Sequence, residues 1–200
     1  MAPHLIVGIS GASGAVYGIK LLETLRKNHN VKTHLVVTKA AWTTIKLETG
    51  LSKDDVKKLA SFYHKIDDLS AVISSGSFKT QGMAVVPCSM KTLAGIAHGY
   101  ADNLLLRAAD VTLKERRPLV LVPRETPLNI IHLENMLKAA HAGAVILPPA
   151  PGFYHKPKTV TDMVNYVVGR ILDCFQIEHG LYRRWEGVKP GKPLKSPRLS

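Results

Sequence analysis

The side chains with the clearest chemical potential are an arginine and a glutamate that stand together after a short apolar run. Residues 119–122 are continuously apolar and rich in valine, which predicts a strand buried on both faces of a parallel sheet. Pro123 ends the run, so Arg124 and Glu125 are expected beyond the carboxyl end of that strand, where open α/β sheets bind ligands. This pair indicates an anion site with a built-in proton donor or acceptor. A plain surface ion pair at a loop is the alternative.

A second candidate site is a glycine-rich turn near the start of the chain. The apolar run 5–9 predicts a buried strand, residues 10–14 follow it, and helical periodicity begins at Val16. A strand, a glycine turn and a helix N-terminus can cradle a phosphate, because the backbone approaches closely and offers free N–H groups. The glycine spacing departs from the usual dinucleotide pattern, and a tight structural turn is the alternative.

Two further polar segments follow predicted strands. The run 31–37 ends at Thr38, where a dinucleotide-binding fold would carry an acidic residue for the ribose, so the threonine argues against NAD. The run 83–87 is followed by residues 88–92, whose small hydroxyl side chains are suited to holding a phosphate. Cys88 lies in this turn, but no His or Asp is placed by the local sequence to activate a catalytic thiol.

The elements that must position these segments alternate between strand and helix. A fifth buried strand is predicted at 144–147, and helices are predicted at about 16–25, 40–47, 93 onwards, 102–114, 127–141 and 159–175, with Pro127 in a first turn. Residues 62–82 are interpreted as an irregular surface excursion. The alternation predicts an α/β fold of three αβα layers with a doubly wound parallel sheet. In that fold the four polar segments converge on one edge of the sheet.

Composition limits the class of protein. The formal net charge is +12, but the basic residues are scattered except in the tail, and we find no nucleic-acid-binding motif. A scattered excess fits small anionic ligands. No apolar stretch reaches the ~18 residues that a membrane helix needs. The two cysteines, Cys88 and Cys174, fit a reducing compartment, so we expect a cytoplasmic protein that binds neither nucleic acid nor membrane.

Metal-ligand spacing is absent from the sequence. The chain has nine histidines, but none form a close pair in the sequence, and no His/Cys/Asp cluster has the spacing of a metal site. We therefore expect no metal.

Longer segments match the motifs of one enzyme family. They are residues 11–14, 39–41 leading to Glu48, 87–89, 107–118, 121–125, 131–137 and 151–154. Over roughly residues 4–186 the chain resembles the flavin prenyltransferases of the UbiX/Pad1 family, also called phenylacrylic acid or 3-octaprenyl-4-hydroxybenzoate decarboxylases. The domain prediction is accordingly one flavoprotein domain at 1–186 and a basic Pro/Lys tail at 187–200.

This resemblance implies a flavodoxin-like Rossmann fold and a dodecamer built from trimers, with active sites at subunit contacts. The implied reaction joins the dimethylallyl group of dimethylallyl phosphate to N5 and C6 of reduced FMN, and it releases phosphate without a metal. The product, prenylated FMN, would pass to a partner decarboxylase of the UbiD type.

The resemblance also implies roles for individual residues. The FMN contacts would be Gly11, Ala12, Ser13, Thr38, Ser89, Met90, Lys91, Thr92 and Arg124. Thr38 stands where many members have serine and keeps the hydroxyl. Tyr154 and Arg170 match the prenyl-phosphate binders, with Arg107 and Lys114 near the same phosphate. The implied catalytic residues are Ser13, Glu48, Lys114, Arg124 and Glu125, and we expect Lys114 to reach the neighbourhood of Glu125.

Three other functions are weighed against this one. An NADP-dependent reductase often carries a Tyr-x-x-x-Lys pair on a helix; Tyr154 and Lys158 have the spacing, but Pro157 argues against a helix there. An FMN-dependent cysteine decarboxylase on the same fold would show Pro-x-Met-Asn where this chain has residues 123–127. A non-catalytic flavin carrier would need neither Glu48 nor Glu125.

Overall fold

The computed structural model describes residues 2–27 and 30–187, and it contains one parallel sheet between two layers of helices. The strands are β1 His4–Ile9, β2 Lys32–Val37, β3 Phe62–His64, β4 Gly82–Cys88, β5 Leu119–Pro123 and β6 Ala144–Ile146. The helices are α1 Ala15–Lys27, α2 Lys39–Thr49, α3 Lys53–Lys57, α4 Met90–Ala97, α5 Leu104–Lys114, α6 Ile130–His141 and α7 Val160–Cys174. Apart from Gly187, the predicted tail lies outside the described residues.

The order of the strands creates a crevice at the centre of the sheet. The order is β3-β2-β1-β4-β5-β6, and every pairing is parallel. The chain moves outwards from β1 to β3 and then returns to place β4 on the other side of β1. The carboxyl ends of β1 and β4 therefore form the switch point at which such sheets bind ligands. The predicted doubly wound α/β fold is confirmed.

Two apolar cores cover the two faces of the sheet. On one face, α1 and α7 pack with Val7 and Val37, and on the other, α4 and α5 pack with Ile6 and Val36. Neighbouring strand residues point to opposite faces, so each central strand contributes to both cores. This division matters for the site, because side chains on α5 and α7 lie on opposite sides of the sheet.

Three predicted boundaries were wrong. The run expected to be irregular begins with β3, a three-residue edge strand that pairs only with β2 and is too short to show a pattern. Helix α4 begins at Met90, because the Ser89 side chain accepts from the Thr92 N–H and caps it. Helix α6 begins at Ile130 with Asn129 as its N-cap, so Pro127 precedes the helix.

Three histidines on neighbouring strands form a hydrogen-bonded row, although they are 30 residues apart in the sequence. His4 Nδ1 lies 2.8 Å from His34 Nε2, and His34 Nδ1 lies 2.9 Å from His64 Nε2. Phe62 stacks on His34, and Phe78 meets it edge-on. Burial, and then the neighbouring His64 and His4, lower the pKa of His34 to about 4. His34 is therefore neutral near pH 7, and the row is a structural part of the sheet edge.

Within the described ranges, no helix combines the length and the apolar character needed to cross a membrane.

Candidate active site

The crevice is built around Ser10, which joins the segments after β1 and β4. Its hydroxyl donates to the Pro87 carbonyl at 3.0 Å and accepts from the Ser89 N–H at 2.7 Å. The Ser10 N–H also donates to the Pro87 carbonyl, at 3.1 Å. The side chain is 1% exposed, so these bonds are shielded from water. Ser10 therefore fixes the two turns that were predicted to bind the ligand, a positioning role that was not predicted from the sequence.

The glycine turn brings α1 and α2 close together. A Cβ on Gly11 would lie 2.6 Å from the Ala40 Cβ, so only glycine allows this approach without a shift. Gly14 has a φ of +98°, a conformation that side chains disfavour. The turn leaves Ser13 exposed at the mouth of the crevice.

Glu48 reaches this turn from the end of α2. Its carboxylate accepts from the Gly14 N–H at 2.9 Å and the Ala15 N–H at 2.8 Å. It thus caps the N-terminus of α1, where a negative charge is stabilised by the helix dipole. The N–H groups that the sequence analysis expected to be free for a phosphate are held by this carboxylate.

The hydroxyls of Thr38 and Ser89 also cap helices. Thr38 Oγ1 accepts from the Ala41 N–H at 3.2 Å, and Ser89 Oγ accepts from the Thr92 N–H at 3.3 Å. Both helices, α2 and α4, therefore begin at the carboxyl edge of the sheet. Lys91 is exposed on the first turn of α4, beside the half-buried Met90. The structure brings all four predicted polar segments to this edge.

Arg124 belongs to the same edge. Its backbone N–H donates to the Cys88 carbonyl at 3.2 Å, which ties the end of β5 to the end of β4. Burial raises the pKa of Tyr17 on α1, and the nearby positive charge of Arg124 partly opposes that rise. The charge of Arg124 therefore acts on the Tyr17 phenol at the crevice. Tyr17 was not predicted from the sequence, because its helical spacing gave no hint of this interaction.

Glu125 is exposed and folds back on its own turn, where its Oε1 accepts from the Thr126 N–H at 3.0 Å. The structure describes both Glu125 and Arg124, and no ion pair joins them. The alternative of a plain surface ion pair is therefore not what the chain forms.

Lys114 and Arg107 lie elsewhere, on α5. Lys114 pairs with Glu115, while Arg107 pairs with Asp110 at 2.7 Å and donates to the Ser74 carbonyl at 3.2 Å. Because α5 runs back to the start of β5, Lys114 sits at the amino end of that strand. Five residues of strand rise roughly 16 Å. The expectation that Lys114 reaches Glu125 is therefore wrong within one chain.

Tyr154 and Arg170 come together in an aromatic cluster beside α7. The Tyr154 ring meets Tyr166 edge-on at 6.0 Å and Trp185 edge-on at 5.6 Å. Arg170 lies one turn after Tyr166, and its Nη1 is 3.3 Å from Asp173 Oδ2. This cluster is on the α1–α7 face, whereas Lys114 and Arg107 are on the α5 face. One chain therefore does not gather the four side chains assigned to the prenyl phosphate.

Several members of this cluster were missed from the sequence. Tyr166 and Asp173 flank Arg170 at spacings of four and three residues, which puts all three on one helix face. That periodicity was available as a signal. The contacts of Tyr182 and Trp185 were not, because they depend on the chain folding back after α7.

Cys88 is fully buried, and burial raises the pKa of its thiol far above the ordinary value. A thiol in that state is not a nucleophile. Across the parts of the chain that the structure describes, no group of three or more His, Cys, Asp or Glu side chains could hold a metal ion.

Comparisons with known proteins agree on one family. The model of the flavoprotein family matches residues 1–172. Over 187 residues the chain is 57% identical to the flavin prenyltransferase UbiX of Salmonella typhimurium, covering 92% of this chain and 99% of that one. A dodecameric FMN-dependent UbiX-like decarboxylase from Escherichia coli O157:H7 superposes with a TM-score of 0.90 at 59% identity, covering 92% of this chain and 100% of that chain. AnUbiX (PadA1), solved with FMN and dimethylallyl pyrophosphate, gives a TM-score of 0.92 at 52% identity and covers 94% and 100%.

Proposed function

This chain belongs to the flavoprotein family as a UbiX flavin prenyltransferase, and from that premise we propose how its own residues carry out the reaction. The substrates are reduced FMN and dimethylallyl phosphate, and the products are prenylated FMN and phosphate. The observation that carries the proposal is 57% identity to a flavin prenyltransferase over nearly the whole of both chains.

The crevice at the switch point fits FMN. It combines an exposed serine, two helix N-termini and an arginine whose charge acts on Tyr17, which suit a ligand with a phosphate and a polar ring edge. We assign the flavin to the residues that line this edge, which are Gly11, Ala12, Ser13, Thr38, Ser89, Met90, Lys91, Thr92 and Arg124. When bound, the reduced flavin supplies the electron-rich N5 and C6 that accept the prenyl group.

The prenyl phosphate needs residues from two copies of the chain. Tyr154 and Arg170 would come from one copy and Arg107 and Lys114 from another, since the two pairs lie on opposite faces of the sheet. A relative with 59% identity is a dodecamer, and we propose the same assembly here. A candidate contact is the outer face of α6, whose large apolar side chains are 50–70% exposed: Ile130, Ile131, Leu133 and Leu137.

The residues then divide the chemistry. As the carbon–oxygen bond breaks, negative charge grows on the departing phosphate, and Arg170, Lys114 and Arg124 stabilise it. Glu125 would donate a proton to that phosphate, and Glu48 would take up the proton lost from C6 as C6 adds to the prenyl double bond. The proton lost from N5 would be available to the other carbon of that double bond. Because arginine and lysine supply the positive charge, we expect turnover to survive chelation by EDTA.

We infer that prenylated FMN, which this chain releases as a product, is passed to a UbiD-type decarboxylase. Cys88 and Cys174 are free thiols, which supports work in a reducing compartment such as the cytoplasm.

Mass spectrometry of the flavin tests the proposal. Reduced FMN is incubated anaerobically with the protein and dimethylallyl phosphate, and the extracted flavin should be heavier by one isoprene unit. A flavin of unchanged mass, from a folded protein that binds FMN, would support the carrier alternative instead.

A decarboxylase is the second candidate, because the Escherichia coli relative is described as one. All the arginine and lysine side chains assigned to the site bind either the FMN or the prenyl phosphate, which leaves none to bind a substrate carboxylate. The purified protein should therefore release no carbon dioxide from cinnamate-type acids. Release by this protein alone would overturn the assignment.

A further inference from the structure

One carboxylate on α7 holds four donors at once. Asp173 Oδ2 accepts from the Tyr182 hydroxyl at 2.6 Å and from Arg170 Nη1 at 3.3 Å. Its Oδ1 accepts from Arg184 Nη2 at 2.6 Å and lies 3.2 Å from His179 Nε2. Burial alone would raise the pKa of Asp173, but hydrogen bonds from Arg184, Tyr182 and His179 hold it below its usual range. The carboxylate is therefore a charged, fixed point on the helix.

The chain reaches this point by folding closely over α7. A Cβ on Gly169 would lie 2.5 Å from Tyr182 Cε1 and 2.7 Å from His179 Cε1, so the segment fits only over a glycine. A glycine inside a helix is less favourable than alanine by about 1 kcal/mol. Ile177, which is 8% exposed, anchors the same segment by donating to the Leu172 carbonyl at 3.1 Å. The return of the chain over α7 is thus a built feature.

Arg184 leaves the positive charge of Arg170 available to a ligand. With Arg184 2.6 Å from Asp173, the carboxylate has a full positive partner besides Arg170. The Arg170 side chain is 51% exposed and gives Asp173 one of its five N–H donors. Two guanidinium groups around one carboxylate leave an excess positive charge, which suits an anionic ligand.

The same carboxylate also orders the aromatic cluster. Tyr182 is hydrogen-bonded to Asp173, and its ring lies 5.0 Å from that of Tyr166, which in turn contacts Tyr154. A movement of Tyr182 would therefore shift both residues assigned to the substrate, Arg170 through Asp173 and Tyr154 through Tyr166.

We propose that Asp173 is a positioning residue for the prenyl phosphate, because it fixes Arg170 directly and Tyr154 through Tyr182 and Tyr166. The inference rests on the proposed function, in which Arg170 and Tyr154 bind that substrate.

The test compares Asp173→Asn with the parent protein, using dimethylallyl phosphate as the varied substrate. The amide keeps the size of the side chain but loses its charge. KM should rise about tenfold, with a smaller change in kcat and no change in FMN affinity. The matched control is Asp54→Asn, an exposed member of an ion pair on α3, which should leave KM unchanged.

A double-mutant cycle with Arg170→Ala separates positioning from a general structural role. If Asp173 acts through Arg170 and Tyr154, Asp173→Asn should raise KM by a smaller factor in Arg170→Ala than in the parent, because only the route through Tyr154 remains. An equal fold-increase in both backgrounds, or an unchanged KM in the parent background, would overturn the inference.

Tyr182→Phe provides a second route if Asp173→Asn does not fold. It removes only the hydroxyl that donates to Asp173, and we expect about a threefold rise in KM in the parent and a smaller rise with Arg170→Ala, where only the route through Tyr154 remains. An unchanged KM in the parent contradicts the inference. Failure of the parent itself to prenylate FMN would instead refute the proposed function.

Discussion

At the scale of single residues, Arg170 should separate the binding of the two substrates. Arg170→Ala should weaken dimethylallyl phosphate by roughly 1.5–3 kcal/mol, the value of a charge-assisted hydrogen bond, while FMN affinity stays nearly unchanged. Titration of flavin absorbance and measurement of KM check the two halves. Arg183→Ala, on an 80% exposed side chain paired with Glu186, is the control. A folded Arg170→Ala protein that purified without flavin would assign Arg170 to the FMN site.

Glu125 can be tested in the same way. Glu125→Gln keeps the size and an acceptor oxygen but cannot donate a proton, so prenyl transfer should slow by about 10²–10⁴-fold with FMN still bound. Glu23→Gln, a change near the end of α1 and away from the carboxyl edge of the sheet, should leave the rate unaltered. Turnover near the parent rate in Glu125→Gln would reduce Glu125 to an orienting role.

Single residues also show what sequence can reveal. Arg124 was placed correctly at the carboxyl edge, because an apolar run followed by proline fixes where a strand ends. Glu48 was assigned to the site by resemblance, but its contact with the N-terminus of α1 is a tertiary feature that no local pattern specifies. The same limit applies to Asp173, three of whose contacts depend on how the chain returns after α7.

At the scale of elements, the histidine row makes the edge of the sheet sensitive to acid. The pKa of His34 is about 4 in the folded chain, against 6.5 for an unperturbed histidine, so the unfolded chain binds more protons between these values. The contribution of neutral His34 to the free energy of unfolding is full above about pH 6.5 and is lost as the pH falls towards 4. His64 and His4, its partners in the row, contribute to this lowering of the His34 pKa, and Asp68 opposes the lowering of the His64 pKa.

The prediction is measured by denaturant unfolding across that range of pH. The free energy of unfolding of the parent should fall by on the order of 1–2 kcal/mol more than that of His34→Gln, which cannot titrate. The exposed change His98→Gln serves as the control. Parallel pH profiles for the parent and His34→Gln would show that His34 is not the responsible group.

The boundaries of the helices and strands also show which features a local sequence pattern can predict. Long elements with periodic apolar faces, such as α5 and α7, were predicted within a few residues. The start of α4 was predicted three residues late, because Ser89 acts as a cap and the turn was interpreted as a loop. The edge strand β3 was missed, since its pairing with β2 is a non-local property.

At the scale of the whole molecule, the residues assigned to the prenyl phosphate are divided between two faces of the sheet. This division predicts that two impaired variants can complement each other. Assayed with dimethylallyl phosphate well below the parent KM, Lys114→Ala and Arg170→Ala should each keep only a small part of the parent activity. After dissociation, mixing and reassembly, about one site in four should contain both native side chains if each site joins two copies. Activity should therefore return to roughly a quarter of the parent value.

Each variant taken through the same cycle alone is the control. If mixing restored nothing while mixed oligomers were shown to form, the two side chains would belong to separate sites or to a single chain. Sequence could not have predicted this division from local patterns, because both residues sit on ordinary amphipathic helices. The sheet order decides which face each helix covers.

The most direct measurement of the central claim is a single-turnover reaction under anaerobic conditions. Enzyme-bound reduced FMN is mixed with dimethylallyl phosphate, and inorganic phosphate and prenylated flavin are quantified together over time. The account predicts that the two products appear in equal amounts and that Glu125→Gln slows both equally. Phosphate release without a change in flavin mass, or no phosphate release from folded, flavin-bound protein, would contradict it.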